Sequence, residues 1–440
     1  MSRLNPDKFR YTDFLPGISA KFTINTLSEI LTKATDRPDI KLKGWQVGGE
    51  NKKGDSYLST LFKINIVGVL QKDEENRDKK ENEIEIHVPV LIKSLPSNIG
   101  RRKTYRSTDF FRNEVVFYNQ VWPTLLNFQL QKNVKDPFMD IPLCYSALAD
   151  GENDFIALED LTPQGYGAAK RQTGLDFDHC LLIIRLLARF HSLSFAYKDQ
   201  HPELFHEMVS NFEETYFREG LRSWYEKCFN ICTGVWLDAL EKEVPGSIYQ
   251  QKFQELVDND FLGQLFNIVS KKNSISCVCQ GDAWVPNFLI KYNNESSLPE
   301  SVKIIDFQIA RVSSPSLDLS IFFYACTKQS VRENHWDDLI DEYHKVFTES
   351  LIELGTDPKL FPKDALLQDF IENAKFGLGM VIETLPLCLT EDSETVDLDA
   401  IQGTEAIDIS TVYCVKPIQK QENRKRLVNV VKHVVDNNFI

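Results

Sequence analysis

Apolar residues recur along this 440-residue chain at two periods, and the change from one to the other falls near residue 158. In the first part, Leu61, Phe62, Ile64, Ile66 and Val67 run close to strand spacing, and Ile84 to Leu95, Leu143 to Leu148 and Phe155 to Leu158 are short apolar runs. Bounded by polar turn residues, such runs predict strands. A helix precedes them, because Ile24, Leu27, Ile30 and Leu31 share one face within Thr23 to Thr35. Beyond residue 158 the period lengthens. Phe177 to Tyr197 carries Leu181, Ile184, Leu187, Ala188 and Leu193 on one face, and residues 211–240, 253–269, 336–354, 364–382 and 421–440 continue the helical pattern. The chain therefore reads as α+β, with a β-rich part and leading helix over residues 1–158 and a mainly helical part over 159–440.

One stretch breaks the helical pattern. The apolar run Ile275 to Cys279 enters Gln280-Gly281-Asp282-Ala283-Trp284-Val285-Pro286-Asn287-Phe288, and a second run, Val302 to Ile305, ends in Asp306-Phe307-Gln308. Short strands thus deliver Asp282, Asn287 and Asp306 on loops at their ends. Phosphoryl transfer from a nucleotide uses this set: a carboxylate that orients a hydroxyl and accepts its proton, and an Asn with a second Asp to hold magnesium against the phosphates. The five-residue step from Asp282 to Asn287 matches the catalytic loop of protein kinases.

Composition narrows the class. A chain with 42% hydrophobic residues can bury a large core, and its length suggests about two or three domains. Its formal charge of -14 argues against a nucleic-acid partner, which would require a basic face. Residues 1–8 lack the apolar core of a signal peptide, and the most apolar helix is interrupted by Arg185, Arg189 and His191, so no membrane partner is expected and the location expected is cytoplasmic. Nine cysteines, an odd number, read as free thiols.

Several residues carry bland readings. Cys228 and Cys232 lie one helical turn apart, but no second pair completes a zinc site. Cys277 and Cys279 are expected to face opposite sides of a strand as small buried residues, and His191 to hydrogen-bond within the helical core. Residues 71–83, almost wholly charged or amide, read as a solvated hairpin tip.

Gln280-Gly281-Asp282 through Asn287, then Ile305-Asp306-Phe307-Gln308, then Ser314-Pro315-Ser316-Leu317-Asp318-Leu319 resembles the ecdysteroid kinase-like proteins of insects, relatives of choline kinases and aminoglycoside phosphotransferases. The resemblance implies a bilobal protein-kinase-like fold and an ATP- and magnesium-dependent kinase that phosphorylates a hydroxyl of a small molecule, an ecdysteroid or similar lipophilic compound. It makes Asp282 the base or orienting group, Asn287 and Asp306 the magnesium ligands, and Asp318 an acceptor for backbone N–H groups of the catalytic loop. It also makes Lys93, ending an apolar strand, the phosphate contact paired with Glu114. Gly54 and Ser56 fall in the nucleotide loop, where Ser56 replaces the usual Asn, and Glu159 and Leu161 fall in the hinge that binds adenine. The family has His where this chain has Gln280, which leaves a catalytically silent ligand-binding protein as one alternative and a choline or aminoglycoside-like kinase as another.

Overall fold

The structure is a computed structural model that describes residues 14–48, 58–70, 84–389, 401–412 and 416–440. The chain divides into two compact units. The first comprises the described residues of Met1–Tyr118, Pro142–Gln164 and Asp397–Ala406, and the second those of Asn119–Ile141, Gly165–Val396 and Ile407–Ile440.

In the first unit, helices α1 (Phe14–Ile18) and α2 (Ile24–Thr35) lead into β1 (Ile40–Val47), β2 (Thr60–Leu70) and β3 (Ile84–Ser94). Helices α3 (Ile99–Thr104) and α4 (Ser107–Val116) follow, and after an excursion into the second unit come β4 (Cys144–Leu148) and β5 (Phe155–Glu159). The five strands form one antiparallel sheet in the order β1-β2-β3-β5-β4. Alternation explains its burial. Ile64, Ile66, Val88, Val90 and Ile92 turn inward onto Leu27, Ile30 and Leu31 of α2, whereas Ile24, expected on the same face, is exposed in the first turn of the helix. Thr23 and Thr26 close the start of that helix as a capping box. Gly54 and Ser56, expected in the nucleotide loop, lie outside the described residues.

The second unit is mainly helical. It begins with α5 (Trp122–Gln131) and continues after β6 (Gly167–Ala168) with α6 (Phe177–Gln200), α7 (Pro202–Met208), α8 (Arg222–Glu243), α9 (Ile248–Asp258) and α10 (Phe261–Ser270). Four short strands then occur among the helices: β7 (Cys277–Cys279), β8 (Phe288–Tyr292), β9 (Pro299–Ile304) and β10 (Arg311–Ser313). β7 pairs with β10, and β6, β8 and β9 form a second small sheet, all antiparallel. The chain closes with α11 (Pro315–Cys326), α12 (Gln329–Leu354), α13 (Lys363–Asn373), α14 (Lys375–Cys388), α15 (Ile409–Val412) and α16 (Gln421–Asp436).

Periodicity located this helical mass but merged elements that the backbone separates. Residues 253–269 span two helices, because Asp260 takes a left-handed conformation at φ 57° and its side chain caps α10. The segment expected from residue 211 becomes helical only at Arg222, after Gly220 at φ 88°. α6 is long and apolar enough to cross a membrane, yet 78% of its apolar window is buried in the fold, as a core helix would be. α11 is buried on every side. α14 approaches it closely at Gly377, where a Cβ would stand 2.3 Å from the Ser320 carbonyl oxygen.

Candidate functional site

In the second unit, the loop after β7 is shaped from behind. The Gln280 and Gly281 amides donate to the two carboxylate oxygens of Asp318 at 2.7 and 2.9 Å. Asp318 sits in the first turn of α11, where the helix dipole also favours a carboxylate. The ring of His191, from α6, bonds Asp318 Oδ2 through Nε2 at 3.1 Å and the Tyr343 hydroxyl through Nδ1 at 2.9 Å. Burial alone would favour the neutral imidazole, but the adjacent Cys279 and the hydrogen bond to Asp318 outweigh it and lift His191 to about 9.

Gly281 is required twice over: its φ is 88°, and a Cβ there would stand 2.0 Å from the Ile309 carbonyl oxygen. The catalytic-loop candidate and the loop after Asp306 are thereby pressed together. Gln280 stitches them as well. Its amide nitrogen donates to the carbonyls of Ile305 (3.1 Å) and Asp306 (2.6 Å), while its oxygen accepts from the Asp282 amide at 2.7 Å. An amide can do this because it carries donor and acceptor on one side chain.

The front of the loop presents the oxygens. Asn287, at the end of a 3-10 turn with Pro286, donates from Nδ2 to the Asp282 carbonyl at 2.9 Å and to its carboxylate at 3.0 Å. Its own carbonyl accepts from Ile305 at 3.0 Å, which fixes it against the strand that delivers Asp306. Asn287 Oδ1 accepts no hydrogen bond among the described residues. Asp306 holds φ 66°, a conformation costly for a residue with a side chain and common at functional sites. Desolvation and the neighbouring Asp306 charge push the Asp282 carboxyl up to about 7, against the opposing hydrogen bond from Asn287.

The first unit holds a second cluster. Lys93, at the end of β3, donates to both carboxylate oxygens of Glu114 in α4, at 2.9 and 3.0 Å, and the two residues are 6% and 1% exposed. In so buried a pair each charge compensates the other. Glu159 closes β5 and is held by Leu143 and Gln164, while Leu161 is buried just beyond it.

Cys277 and Cys279 do not face opposite sides, as expected from sequence. Residues two apart on a strand share a face, and their sulfurs lie 3.9 Å apart. Among the described residues one set has ligand-like closeness, His191, Cys279 and Asp318, and its carboxylate is already engaged by His191 and two amides. The link from His191 to Asp318 spans 127 positions and was missed in the sequence; a histidine amid apolar helix residues was its only local sign.

The sequence profile of the ecdysteroid kinase-like family matches residues 53–356, a stretch containing the β7 to β10 loops and both members of the Lys93–Glu114 pair. The chain belongs to the ecdysteroid kinase-like family. It is accordingly a kinase-like, nucleotide-binding phosphotransferase with a hydroxyl acceptor, and its fold is α+β. No curated protein matches the chain. Solved structures similar to it include GDP complexes of a mutant and of wild-type aminoglycoside 2'-phosphotransferase-IIIa. They are 16% and 15% identical, cover 82% and 84% of this chain and 97% and 96% of theirs, and have TM-scores of 0.33 and 0.36. A GDP and kanamycin complex of a related phosphotransferase is 18% identical over 81% of this chain and 98% of its own, with a TM-score of 0.34. Likenesses of this size add nothing to the family assignment.

Proposed function

We propose that the protein transfers the γ-phosphate of ATP, with magnesium, to a hydroxyl of an ecdysteroid or a similarly hydroxylated lipophilic compound. The observation that carries this is the contact of Asn287 with the Asp282 carboxylate at 3.0 Å, on a loop stitched to Asp306 through Gln280. Asp282 orients the acceptor hydroxyl and takes its proton as the oxygen bonds to phosphorus and ADP departs. A carboxyl lifted to about 7 is suited to gaining a proton near neutral pH.

The residues fit magnesium. Asp306 and Asn287 Oδ1 are hard oxygen donors, and the crowding of Asp282 by Asp306 is what a cation relieves. When bound, the metal would neutralise charge on the nucleotide phosphates. Lys93, fixed by Glu114, is the proposed phosphate contact, and Glu159 and Leu161 the hinge.

For the acceptor, the aromatic residues of the second unit are largely used in packing. Trp236 is stacked on Phe253 and donates to the Ile382 carbonyl, and Trp336 lies among Phe323, Phe370, His433 and Phe439. An aromatic cage for a quaternary ammonium needs free ring faces, so this packing supports a polyol over choline. The eight described cysteines are unpaired thiols, which supports a cytoplasmic location. The test is incubation with γ-labelled ATP and a panel of steroid, amine and sugar alcohols. Labelled ecdysteroid is expected; label on choline with a higher specificity constant would replace the steroid reading, and label on no acceptor would remove the proposal.

A further inference from the structure

Between α7 and α8 the chain from Glu214 to Phe217 is fastened to the loop that follows Asp306. Thr215 donates to the Gln308 carbonyl at 3.4 Å, and Glu214 pairs with Arg311 at 2.9 and 3.1 Å. The Arg311 guanidinium lies over the rings of Phe217 and Phe376, at 5.6 and 5.8 Å. The next residue of the segment points to another helix. Tyr216 donates to Glu383 Oε2 in α14 at 2.7 Å, and its ring stacks on Tyr225 with centroids 4.2 Å apart.

Two polar atoms at the ends of this arrangement lack partners among the described residues. Arg311, 5% exposed, leaves Nη1 unbonded, and Glu383 leaves Oε1 unbonded and closed to water. A buried cationic N–H and a buried carboxylate oxygen each lose hydration that the fold does not return. Arg311 is held by Glu214 and Glu383 by Tyr216, yet each keeps one polar atom unspent. Glu383 interrupts the apolar run Val381-Ile382-Glu383-Thr384-Leu385, and Arg311 opens β10, where its charge is felt at Asp282.

We propose that Arg311 and Glu383 are the polar contacts of an acceptor subsite, which takes hydroxyl groups of a flat, largely apolar polyol other than the hydroxyl that is phosphorylated. A hydroxyl both accepts from a guanidinium and donates to a carboxylate, whereas a quaternary ammonium can do neither. Tyr216, half-buried and stacked on the buried Tyr225, suits a flat ring skeleton rather than a caged cation. Burial also lifts the Glu383 carboxyl to about 7, so it is not held fully ionised as a cation's partner would be. Because Oε1 is closed to water in this structure, the subsite requires the carboxylate to turn about its last bond as the acceptor binds. This subsite rests on the kinase reading of the Asp282 loop.

The test uses the full chain, ecdysone, its analogues lacking single hydroxyls, and choline. Glu383→Gln keeps the side-chain shape and should raise the KM for ecdysone about tenfold or more while the KM for ATP is unchanged. One deoxy analogue should lose that same factor against the wild type but little against Glu383→Gln, since both changes remove one contact. Tyr216→Phe, with the hydroxyl removed and the ring kept, should move the acceptor KM in a smaller step. An unchanged ecdysone KM in Glu383→Gln with transfer intact overturns the subsite and leaves the kinase reading standing. Glu383-dependent preference for choline overturns the hydroxyl class. If the wild type phosphorylates no acceptor, the kinase reading falls, and equilibrium dialysis with labelled ecdysone decides the subsite: weaker binding by Glu383→Gln upholds it, and equal or no binding overturns it.

Discussion

The loop from Gln280 to Asn287 has two carboxylates with opposite circumstances. Behind it Asp318, fully buried, accepts from two backbone amides and from His191. In front Asp282 has the Asn287 amide as a side-chain partner, and burial together with a second carboxylate nearby lifts it to about 7. The first is satisfied and so fixes geometry; the second is under-satisfied and so retains capacity to bind a proton or face a cation. The Lys93–Glu114 pair of the first unit resembles Asp318 in this respect, since each charge is spent on the other.

Breaking the satisfied side should cost most. Asp318→Ala leaves two amides unpaired in a dry core and deprives the buried His191 of its carboxylate partner, and should cost about 3–5 kcal/mol of stability, read from denaturant unfolding, along with activity. A variant of wild-type stability would show that the loop is held some other way. On the unsatisfied side the loss should be of binding rather than of fold. Asp306→Ala should weaken calorimetric binding of magnesium nucleotide about tenfold or more, and Asn287→Ala less, because a charged oxygen outweighs a neutral one. Equal, normal binding in both would contradict their assignment as ligands.

Gln280 joins the two sides, and its substitutions sharpen the comparison. Gln280→Ala removes three hydrogen bonds and should lower kcat about tenfold, whereas Gln280→His should leave it unchanged or raise it. Activity gained only in Gln280→His would favour a silent wild type. The smallest effect concerns pH. Because His191 is raised from 6.5 to about 9, its pairing contributes stability that is complete below pH 6.5 and is lost as pH rises through about 9. The groups facing it are Asp318, Tyr343 and Cys279. The difference in Tm between wild type and His191→Gln should therefore shrink over that window; a constant difference would mean a neutral ring.

Much of this was legible in the sequence where the signal is local. Strand spacing marked β2 and short apolar runs marked β3, β4 and β5, and Asp282, Asn287 and Asp306 lie within 25 residues of one another, so their order alone suggested one chemistry. Lys93 and Glu114 are 21 apart and became a pair only through family resemblance, which the buried contact now matches. What stayed hidden depends on single backbone conformations or distant partners. Asp260 breaks a helix with one left-handed residue that no apolar period records, and Arg311 with Glu214 or Tyr216 with Glu383 meet across 97 and 167 positions. Glu383 left one trace, an acid inside an apolar helix.

The central claim is that Asp282 is the group that works on the acceptor hydroxyl. It is tested most directly by single-turnover transfer of label from γ-labelled ATP to ecdysone by wild type and Asp282→Asn, with nucleotide binding and Tm measured on the same samples. The expected result is transfer slowed about a hundredfold or more in Asp282→Asn, with nucleotide affinity and Tm near wild type, because Asn keeps the shape but cannot take the proton. Transfer at near wild-type rate in Asp282→Asn would contradict the account.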